Sequence, residues 1–280
     1  MDATGDRDTL AGSRPFLEDN RALWDEWAVI NHESDFYRVG EFKRGTSKLR
    51  GYELEEVGPV AGKSLLHLQC HFGLDTLSWA REGAIVTGAD FSDQAIALAR
   101  GLAAELAIQA TFVRSDLYEL PNVLDGPFDV VYTSRGILGW LPDLARWGQV
   151  IAHFLRPGGI FYITEVHPFL QVMDDDDGVT ELRLRFHYFP RPEPVTFPVQ
   201  GSYADRTAPL EQKVEHWWQH SVSEIVGSLI DAGLDIEFFH EFPFLEWPAP
   251  GLVERDGRWW LPETQEGEIP LFFSLRARKP

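Results

Sequence analysis

Two aspartates stand directly after short apolar runs, where their side chains could bind a ligand. Asp90 follows the run 85–89 and comes about 20 residues after a turn at 69–73. In a strand, turn, helix and strand unit, an acid at this separation accepts hydrogen bonds from ribose hydroxyls. Asp116 follows the next apolar run, 110–114. Each acid alone could instead cap a helix or close a turn, but together at successive strand ends they favour a nucleoside-containing ligand.

Histidines and tryptophans supply the other candidate groups. His167 ends the apolar run 160–166, and its imidazole can be neutral near pH 7, so it is the candidate general base. The same side chain could instead cap or buttress the turn before Pro168. A cluster of His216, Trp217, Trp218 and His220 either lines a pocket or packs around one.

The elements that position these residues alternate regularly. Helices are predicted at 74–80, 93–106, 143–155 and 222–232, with Ser92 as a cap and Pro157-Gly158-Gly159 as a stop. Strands are predicted at 64–68, 85–89, 110–114, 128–132, 160–166, 235–241 and 271–277. This order predicts an α/β fold with a doubly wound, mostly parallel seven-stranded sheet. Its last strand is reached by a loop, 247–270, and can run antiparallel.

The flanking segments interrupt this alternation. Residues 1–13 read as a loose tail, 16–30 as a helix rich in tryptophan, and 32–51 as a loop or broken helix whose aromatics either cover a site or pack. Residues 1–51 are therefore predicted to be a tail and helical lid, and 52–280 the main domain. Within that domain, 169–219 is predicted to be a β-hairpin insert, with strands at 183–189 and 196–203 around a proline-rich turn.

Composition excludes several classes of protein. The 280 residues are 44% hydrophobic, enough for a substantial core, and the formal net charge is −19 with a pI near 4.8. That charge repels nucleic acid. Cys70 is the only cysteine, so no internal disulfide can form, and it is expected to be a small buried filler. With no apolar run of membrane-spanning length and no secretory leader, we expect a cytoplasmic protein that does not enter a membrane.

The order of elements resembles the seven-stranded class I S-adenosylmethionine-dependent methyltransferases, over about residues 63–279. The landmarks are the turn Leu68-Gln69-Cys70-His71-Phe72-Gly73, Asp90, Ser115-Asp116, and Leu155-Arg156-Pro157-Gly158-Gly159. The stretch HLQCHFG is similar to a branch of small bacterial methyltransferases. This chain has His67 where the wider family usually has an acid, and Gln69 and His71 where it usually has glycines.

The resemblance implies S-adenosylmethionine as the cofactor and a small molecule as the methyl acceptor. The residues expected to bind the cofactor are His67, Gln69, Cys70, His71, Gly73, Asp90, Phe91, Ser92, Ser115, Asp116, Leu117, Thr133, Ser134, Tyr37 and Phe42. Those expected to bind the acceptor are Trp140, His167, Trp217 and His220. Catalysis would rest on in-line placement and exclusion of water, sometimes with a base. We expect a monomer or homodimer.

Three alternatives remain open at the level of sequence. A nicotinamide dehydrogenase shares the alternation, but no G-x-G-x-x-G follows the first strand. A catalytically silent cofactor-binding protein could have the same fold. A metal-dependent transfer would need carboxylates near the sulfonium, for which Asp174 to Asp177 is the only candidate run; such runs are usually solvated loops, so no metal is predicted. O-, N- and C-methylation are equally compatible with the sequence.

Overall fold

A seven-stranded sheet forms the centre of the protein. The computed structural model describes residues 8–174, 176, 179, 183–265 and 267–280. The strands of this sheet are β1 (Ser64–Leu68), β2 (Ile85–Asp90), β3 (Thr111–Arg114), β4 (Phe128–Thr133), β5 (Leu155–Val166), β8 (Asp235–Phe242) and β12 (Phe272–Arg278). Their order is β3-β2-β1-β4-β5-β12-β8. Strands β1 to β5 pair in parallel, and β12 runs antiparallel to both β5 and β8, as predicted.

Helices cover both faces of the sheet. They are α1 (Asp8–Glu33), α2 (Val39–Lys43), α3 (Gly51–Val57), α4 (Leu74–Arg81), α5 (Asp93–Glu105), α6 (Leu144–Phe154) and α7 (Val222–Asp231). Leu66, Val131 and Phe161 bury one face against α6 and α7. Their neighbours Leu65 and Val130 bury the other face against α3 and α4. Because successive strand residues point to opposite faces, two covered faces require the continuous apolar runs seen in the sequence.

The N-terminal segment differs from its prediction. The described part of the predicted tail is helical, because α1 begins at Asp8, and residues 1–7 lie outside the described chain. Tertiary contacts hold α1 against the insert. The Asn20 side-chain amide donates to the His216 carbonyl oxygen at 2.8 Å, and the His216 backbone N–H donates to Asn20 at 2.9 Å. The segment 32–51 is a broken helix, as predicted, but α3 was not foreseen.

The β5 strand is longer than predicted. It begins at Leu155, immediately after α6, so Pro157-Gly158-Gly159 lies within the strand and not in a turn before it. A register shift between Phe128 and Val130 accommodates the extra residues. Backbone bonds from Gly158 N–H to the Lys279 carbonyl and from Lys279 N–H to the Gly159 carbonyl hold the extension. Helix α6 does end before the proline and the two glycines, as predicted, but these residues form an irregular start of β5 in which Gly158 has a φ of +76°.

The insert contains a hairpin, as predicted; one of its strands overlaps the predicted strand 196–203, whereas the other is not the predicted strand 183–189. Strand β6 (Val195–Pro198) pairs antiparallel with β7 (Val214–Trp217). In the predicted strand 183–189, the described bridge is a single one, Met173 to Leu184. The backbone N–H groups of residues 185 and 186 instead both donate to the Val172 carbonyl. The alternation of polar and apolar residues at 183–189 therefore belongs to a turn and not to a paired β-strand.

The segment predicted as a loop at 247–270 contains a second hairpin. Strands β10 (Val253–Arg255) and β11 (Arg258–Trp260) join β9 (Phe244–Leu245) in a three-stranded sheet. Asp256 and Gly257 at the hairpin tip have φ of +53° and +73°. An Asp-Gly pair is a strong hairpin signal, so the sequence contained the information for this element. No helix in the described part of the chain is long and apolar enough to cross a membrane.

Candidate active site

The turn after β1 has an unusual backbone for its residue types. Gln69, His71 and Gly73 have φ of +54°, +51° and +82°. Gln69 and His71 therefore adopt the left-handed conformation that glycine adopts most readily. The Cys70 N–H donates to the Ala89 carbonyl at 2.9 Å, and the His71 N–H donates to Asp90 Oδ2 at 2.8 Å. Hydrogen bonds donated to the end of β2 thus hold a turn in which Gln69 and His71 take the left-handed conformation.

Close packing lies beneath this turn. A Cβ atom at Gly73 would stand 2.8 Å from the Phe112 ring, so a larger residue could not be accommodated without a shift. Cys70 is buried in the cluster that contains Phe72 and Phe112, and burial raises the pKa of its thiol. Its thiol is therefore protonated and acts as packing.

Asp90 holds the centre of the site. Its side chain is 7% exposed at the end of β2, and Oδ1 accepts the Ser92 N–H at 2.9 Å while Oδ2 accepts the His71 N–H. Each carboxylate oxygen has a further lone pair that can accept a ribose hydroxyl. Burial raises the pKa of Asp90 to about 6, and the two N–H donors oppose that shift.

Helix α1 is fixed beside Asp90. Ser92 Oγ accepts the Ala95 N–H at 3.0 Å as the cap of α5, and its hydroxyl donates to Asp25 Oδ1 at 2.7 Å. The Trp24 indole lies edge-on to the His71 ring, with 5.2 Å between centroids. Phe91 is half-buried next to Ser92. Sequence reasoning missed Asp25 and Trp24, because a helix stripe does not show which strand end it will reach.

The end of β3 is tied to Asp90 through the backbone. The Ser115 N–H donates to the Asp90 carbonyl at 2.9 Å, and Asp116 Oδ1 accepts the Tyr118 N–H at 2.8 Å. Asp116 therefore closes a turn, which was one of its two predicted roles, and burial raises its pKa. Leu117 is buried in the main core cluster. The other Asp116 oxygen can still accept a hydrogen bond from a ligand.

His67 takes part in a buried polar chain at the end of β1. Its Nδ1 lies 2.8 Å from Thr76 Oγ1 and its Nε2 lies 3.1 Å from Ser134 Oγ. Burial lowers the pKa of His67 to about 3, so the ring is neutral. The end of β1 therefore carries an uncharged hydrogen-bonding ring.

A buried ion pair joins α3 to the loop after β4. Glu53, fully buried on α3, accepts the Tyr132 hydroxyl at 2.6 Å and Arg135 Nη2 at 2.7 Å. Arg135 Nη1 lies 3.9 Å from Asp75 on α4. These three ionic residues were not predicted. They are distant in sequence, and no local spacing links them.

The loop after β4 is held by one carboxylate. Glu165, 1% exposed on β5, accepts the N–H groups of Gly136 at 2.7 Å, Ile137 at 2.7 Å and Leu138 at 3.1 Å. Burial raises the pKa of Glu165, and these donors oppose the shift. Trp140, at the end of this loop, donates its indole N–H to the Gly136 carbonyl at 2.9 Å. Glu165 therefore positions the loop that carries Trp140.

Several buried polar atoms at this edge have no hydrogen-bond partner among the described residues. They include Gln69 Oε1, His71 Nε2 and Thr133 Oγ1. Gln69 and His71 follow β1, and Thr133 ends β4, so all three lie at the carboxyl ends of two neighbouring strands. A buried polar atom is stable when it is hydrogen-bonded, so a polar ligand at this edge would satisfy them. The donors and acceptors present fit the ribose and amino-acid portions of S-adenosylmethionine.

The two predicted lid aromatics lie in different surroundings. The Tyr37 hydroxyl is hydrogen-bonded to that of Tyr203 in the insert, and its ring lies 5.5 Å from that of His71 between centroids. Phe42 has no exposed surface, and the Arg81 guanidinium covers its ring at 4.1 Å. Tyr37 therefore reaches the turn at 69–73, whereas Phe42 packs inside the core.

His167 lies apart from the residues around Asp90. Its Nδ1 accepts the Phe169 N–H at 3.0 Å, and its ring packs against Phe239 and Phe273 on β8 and β12. Nε2 is 3.1 Å from Glu241 Oε1, outside hydrogen-bonding alignment. Burial lowers the pKa of His167 to about 4. Because the turn already uses the basic lone pair, this geometry favours the turn-capping role over the general base.

The predicted acceptor residues divide in the same way. Trp217 packs against Trp140, with 5.1 Å between centroids, and lies over Gly139, where an added Cβ would stand 1.9 Å from the indole. Both ring nitrogens of His220 are engaged, with Glu224 at 2.9 Å and the Leu141 carbonyl at 2.8 Å. The structure brings Trp140 and Trp217 together, whereas His220 connects Glu224 to the Leu141 carbonyl.

The described chain contains no group of His, Cys, Asp and Glu side chains suited to a metal ion. Asp174, the first residue of the acidic run, is paired with Arg183 and Arg185. Asp175 and Asp177 lie outside the described residues.

Known proteins resemble this chain in sequence and in fold. Residues 65–159 match the family model described as a methyltransferase domain. Over 157 residues the chain is 36% identical to the ubiquinone biosynthesis O-methyltransferase of Escherichia coli, covering 50% of this chain and 65% of that protein. The chain spans less than two thirds of the length of such curated relatives.

Two solved structures illustrate the likeness in fold. The S-adenosylmethionine dependent methyltransferase from Mesorhizobium loti has a TM-score of 0.58 at 22% identity, over 85% of this chain and all of that one. The glycopeptide N-methyltransferase MtfA, complexed with sinefungin, has a TM-score of 0.54 at 18% identity, over 82% and 84%. Residues 65–159 thus match a methyltransferase domain, and the chain has the fold of the S-adenosylmethionine-dependent methyltransferases.

Proposed function

We propose that this protein transfers a methyl group from S-adenosylmethionine to a small-molecule acceptor. The observation that carries the proposal is the buried Asp90 carboxylate, fixed by the N–H groups of His71 and Ser92 at the end of β2. An acid in this place accepts the two ribose hydroxyls of a nucleoside cofactor. The match of residues 65–159 to a methyltransferase domain supports this cofactor over a dinucleotide.

The bound cofactor would supply a methyl group already activated by its sulfonium. The chain would then contribute positioning. Asp90 would hold the ribose, Asp116 would accept from the adenine amino group, and the turn at 69–73 would face the methionyl portion. Trp24 and Trp140, whose rings are 5.2 Å apart between centroids, would help to exclude water.

No side chain is assigned as a general base. His67 is neutral and both of its ring nitrogens lie within hydrogen-bonding distance of hydroxyls, while the Nδ1 lone pair of His167 accepts a backbone N–H. In-line placement of an acceptor against an activated methyl group can supply a large part of the rate. We therefore propose that positioning, and not proton transfer by a histidine, drives the reaction.

The acceptor class follows from charge and from the relatives. A net charge of −19 disfavours polyanions, and the curated relatives are named O-methyltransferases of ubiquinone biosynthesis. Both support a small neutral or cationic acceptor, with oxygen as the leading candidate nucleophile.

A metabolite-pool screen tests the function directly. Purified protein is incubated with S-adenosylmethionine and fractionated metabolites, and release of S-adenosylhomocysteine is measured. We expect release with at least one fraction, and we expect the Asp90→Ala variant to lose it. Cofactor binding without release from any fraction would instead indicate a catalytically silent binding protein.

A further inference from the structure

A cavity of about 310 Å³ lies outside the site around Asp90. It is bounded by the end of β5, the insert, and the segment that leads into the β10–β11 hairpin. The aromatic and aliphatic residues that line it include Phe186, Phe197, Trp217, Trp247, Leu170 and Ala249. Its volume is at the lower end of the range of small-molecule sites, about 300–1,000 Å³. Its lining is mostly apolar, with the amides of Gln171, Gln219 and Gln265 and the carboxylates of Asp174 and Glu215 as its polar side chains.

One indole separates this cavity from the loop after β4. Trp217 lines the cavity and also lies over Gly139 and against Trp140. The Trp218 N–H donates to the Gly139 carbonyl at 2.8 Å, which fixes the insert on that loop. Since Glu165 anchors the same loop to β5, the cavity has a fixed position relative to the end of β4.

The lining restricts the chemistry of an occupant. No Lys, Arg or His is among the described residues that line the cavity. Asp174, one of the lining residues, is paired with Arg183 and Arg185, which do not line the cavity themselves. Side-chain amides provide the uncharged polar groups, and Gln219 donates to the Gln171 carbonyl at 3.0 Å. A phosphate or carboxylate would therefore be desolvated here without a cation to compensate it.

We propose that this cavity binds the apolar body of the methyl acceptor, an aromatic or aliphatic molecule without anionic groups. The inference rests on the proposed function, because the acceptor's nucleophile must reach the end of β4 past Trp217. It goes further by assigning the part of the chain that selects the acceptor.

Two fluorescent probes with the same ring frame test the charge preference. N-phenyl-1-naphthylamine is neutral, and 1-anilinonaphthalene-8-sulfonate carries one sulfonate. We expect the neutral probe to bind the wild-type protein at least about tenfold more tightly than the sulfonate, because the described lining has no cation. Equal affinity for the two probes would overturn the proposed chemistry.

Cavity-filling variants test the location. Ala249→Phe and, as a second variant in case the first does not fold, Leu170→Phe should each weaken binding of the neutral probe at least about fivefold, since the added ring occupies the lining. The matched control is Val253→Phe, a surface position on β10 that does not line the cavity and is 41% exposed. We expect the control to bind the probe as wild type does. Unchanged probe affinity in both folded cavity variants would overturn the proposal.

Calorimetry with S-adenosylhomocysteine separates the two hypotheses. The cavity variants should retain wild-type affinity for it, because the cavity lies apart from Asp90. In the metabolite screen they should turn over the active fraction at least about tenfold more slowly than Val253→Phe at limiting acceptor. Full turnover by both cavity variants would overturn the cavity inference but not the methyltransferase function. Failure of the wild type to bind S-adenosylhomocysteine would overturn the function itself.

Discussion

Asp90 has a dual role at the residue scale, because the carboxylate that can accept ribose hydroxyls also closes the turn beside it. Its two backbone donors, His71 and Ser92, come from the segments on either side of the site. The cofactor and the turn therefore depend on the same ionised group. Its pKa of about 6 places the change of charge in an accessible pH range.

Affinity for S-adenosylhomocysteine should fall as the pH is lowered through about 6. Protonation of Asp90 replaces an acceptor with a donor, so we expect roughly tenfold weaker binding at pH 5 than at pH 7. The contribution of Asp90 to folding stability should change with pH in the opposite direction. Its folded pKa lies above its ordinary value of 3.8, so its ionisation disfavours folding, and its contribution to stability improves as pH falls from 6 towards 4. Calorimetry from pH 5 to 8 measures the affinity. Asp90→Asn should bind weakly at every pH, and a wild-type affinity that does not change with pH would contradict the assignment.

His167 is expected to be needed for stability and not for turnover. His167→Ala removes the acceptor of the Phe169 N–H, so the free energy of unfolding should fall by about 1–2 kcal/mol. Turnover should fall by less than about tenfold, whereas loss of a general base would reduce it about 100-fold or more. His167→Asn offers an oxygen near the position of Nδ1 and should restore most of the stability. Urea unfolding and initial rates provide the two measurements, and a loss of rate of about 100-fold in folded protein would restore the base hypothesis.

At the scale of elements, the sheet was predictable and its edges were not. The central strands β1 and β4 are buried almost throughout because helices cover both faces, and Ser92 and Asp143 cap helices where local spacing indicated. Tertiary pairing set the start of β5, where Gly158 bonds to Lys279. The same limit applies to the candidate site. Asp90 could be predicted from its spacing within one strand, turn, helix and strand unit, whereas Glu165 and Glu53 bind a loop that is distant from them in sequence.

Glu165 should couple the loop after β4 to catalysis. Glu165→Gln replaces the carboxylate that accepts three backbone N–H groups with an uncharged amide. The free energy of unfolding should therefore fall by about 2–3 kcal/mol. Because the loop carries Trp140, kcat/KM for the acceptor should fall more than the affinity for S-adenosylhomocysteine. The control is Glu254→Gln on the exposed side of β10, which should change neither quantity. Equal losses in acceptor and cofactor binding would indicate general disorder of the site and contradict a specific positioning role.

At the scale of the whole molecule, the N-terminal segment and the insert form one cover over the carboxyl edge of the sheet. Asn20 on α1 exchanges two hydrogen bonds with the backbone of His216 on β7, and Tyr37 is bonded to Tyr203. Asp25 attaches the same helix to the cap of α5. Since these contacts link both peripheral segments to residues around Asp90, a ligand at that site should stabilise the entire fold.

Ligand-linked unfolding tests this integration. At a concentration 100 times its dissociation constant, S-adenosylhomocysteine should raise the free energy of unfolding by about 2.7 kcal/mol, provided it binds only the folded chain. The increment should be absent at the same concentration in Asp90→Ala, because that variant loses the ribose acceptor and binds too weakly. NAD should give no increment, since no glycine-rich dinucleotide turn follows β1.

Chemical unfolding followed by both tryptophan fluorescence and circular dichroism measures the change. Tryptophan fluorescence reports on α1 and the insert and also on the core, where Trp79 and Trp147 are buried, and circular dichroism reports on the sheet and helices. Coincident shifts in the two signals are expected if the cover and the sheet unfold together. Shifts that differ between the two signals would contradict unfolding as a single unit, and a shift produced equally by NAD would contradict the assignment of the site to S-adenosylmethionine.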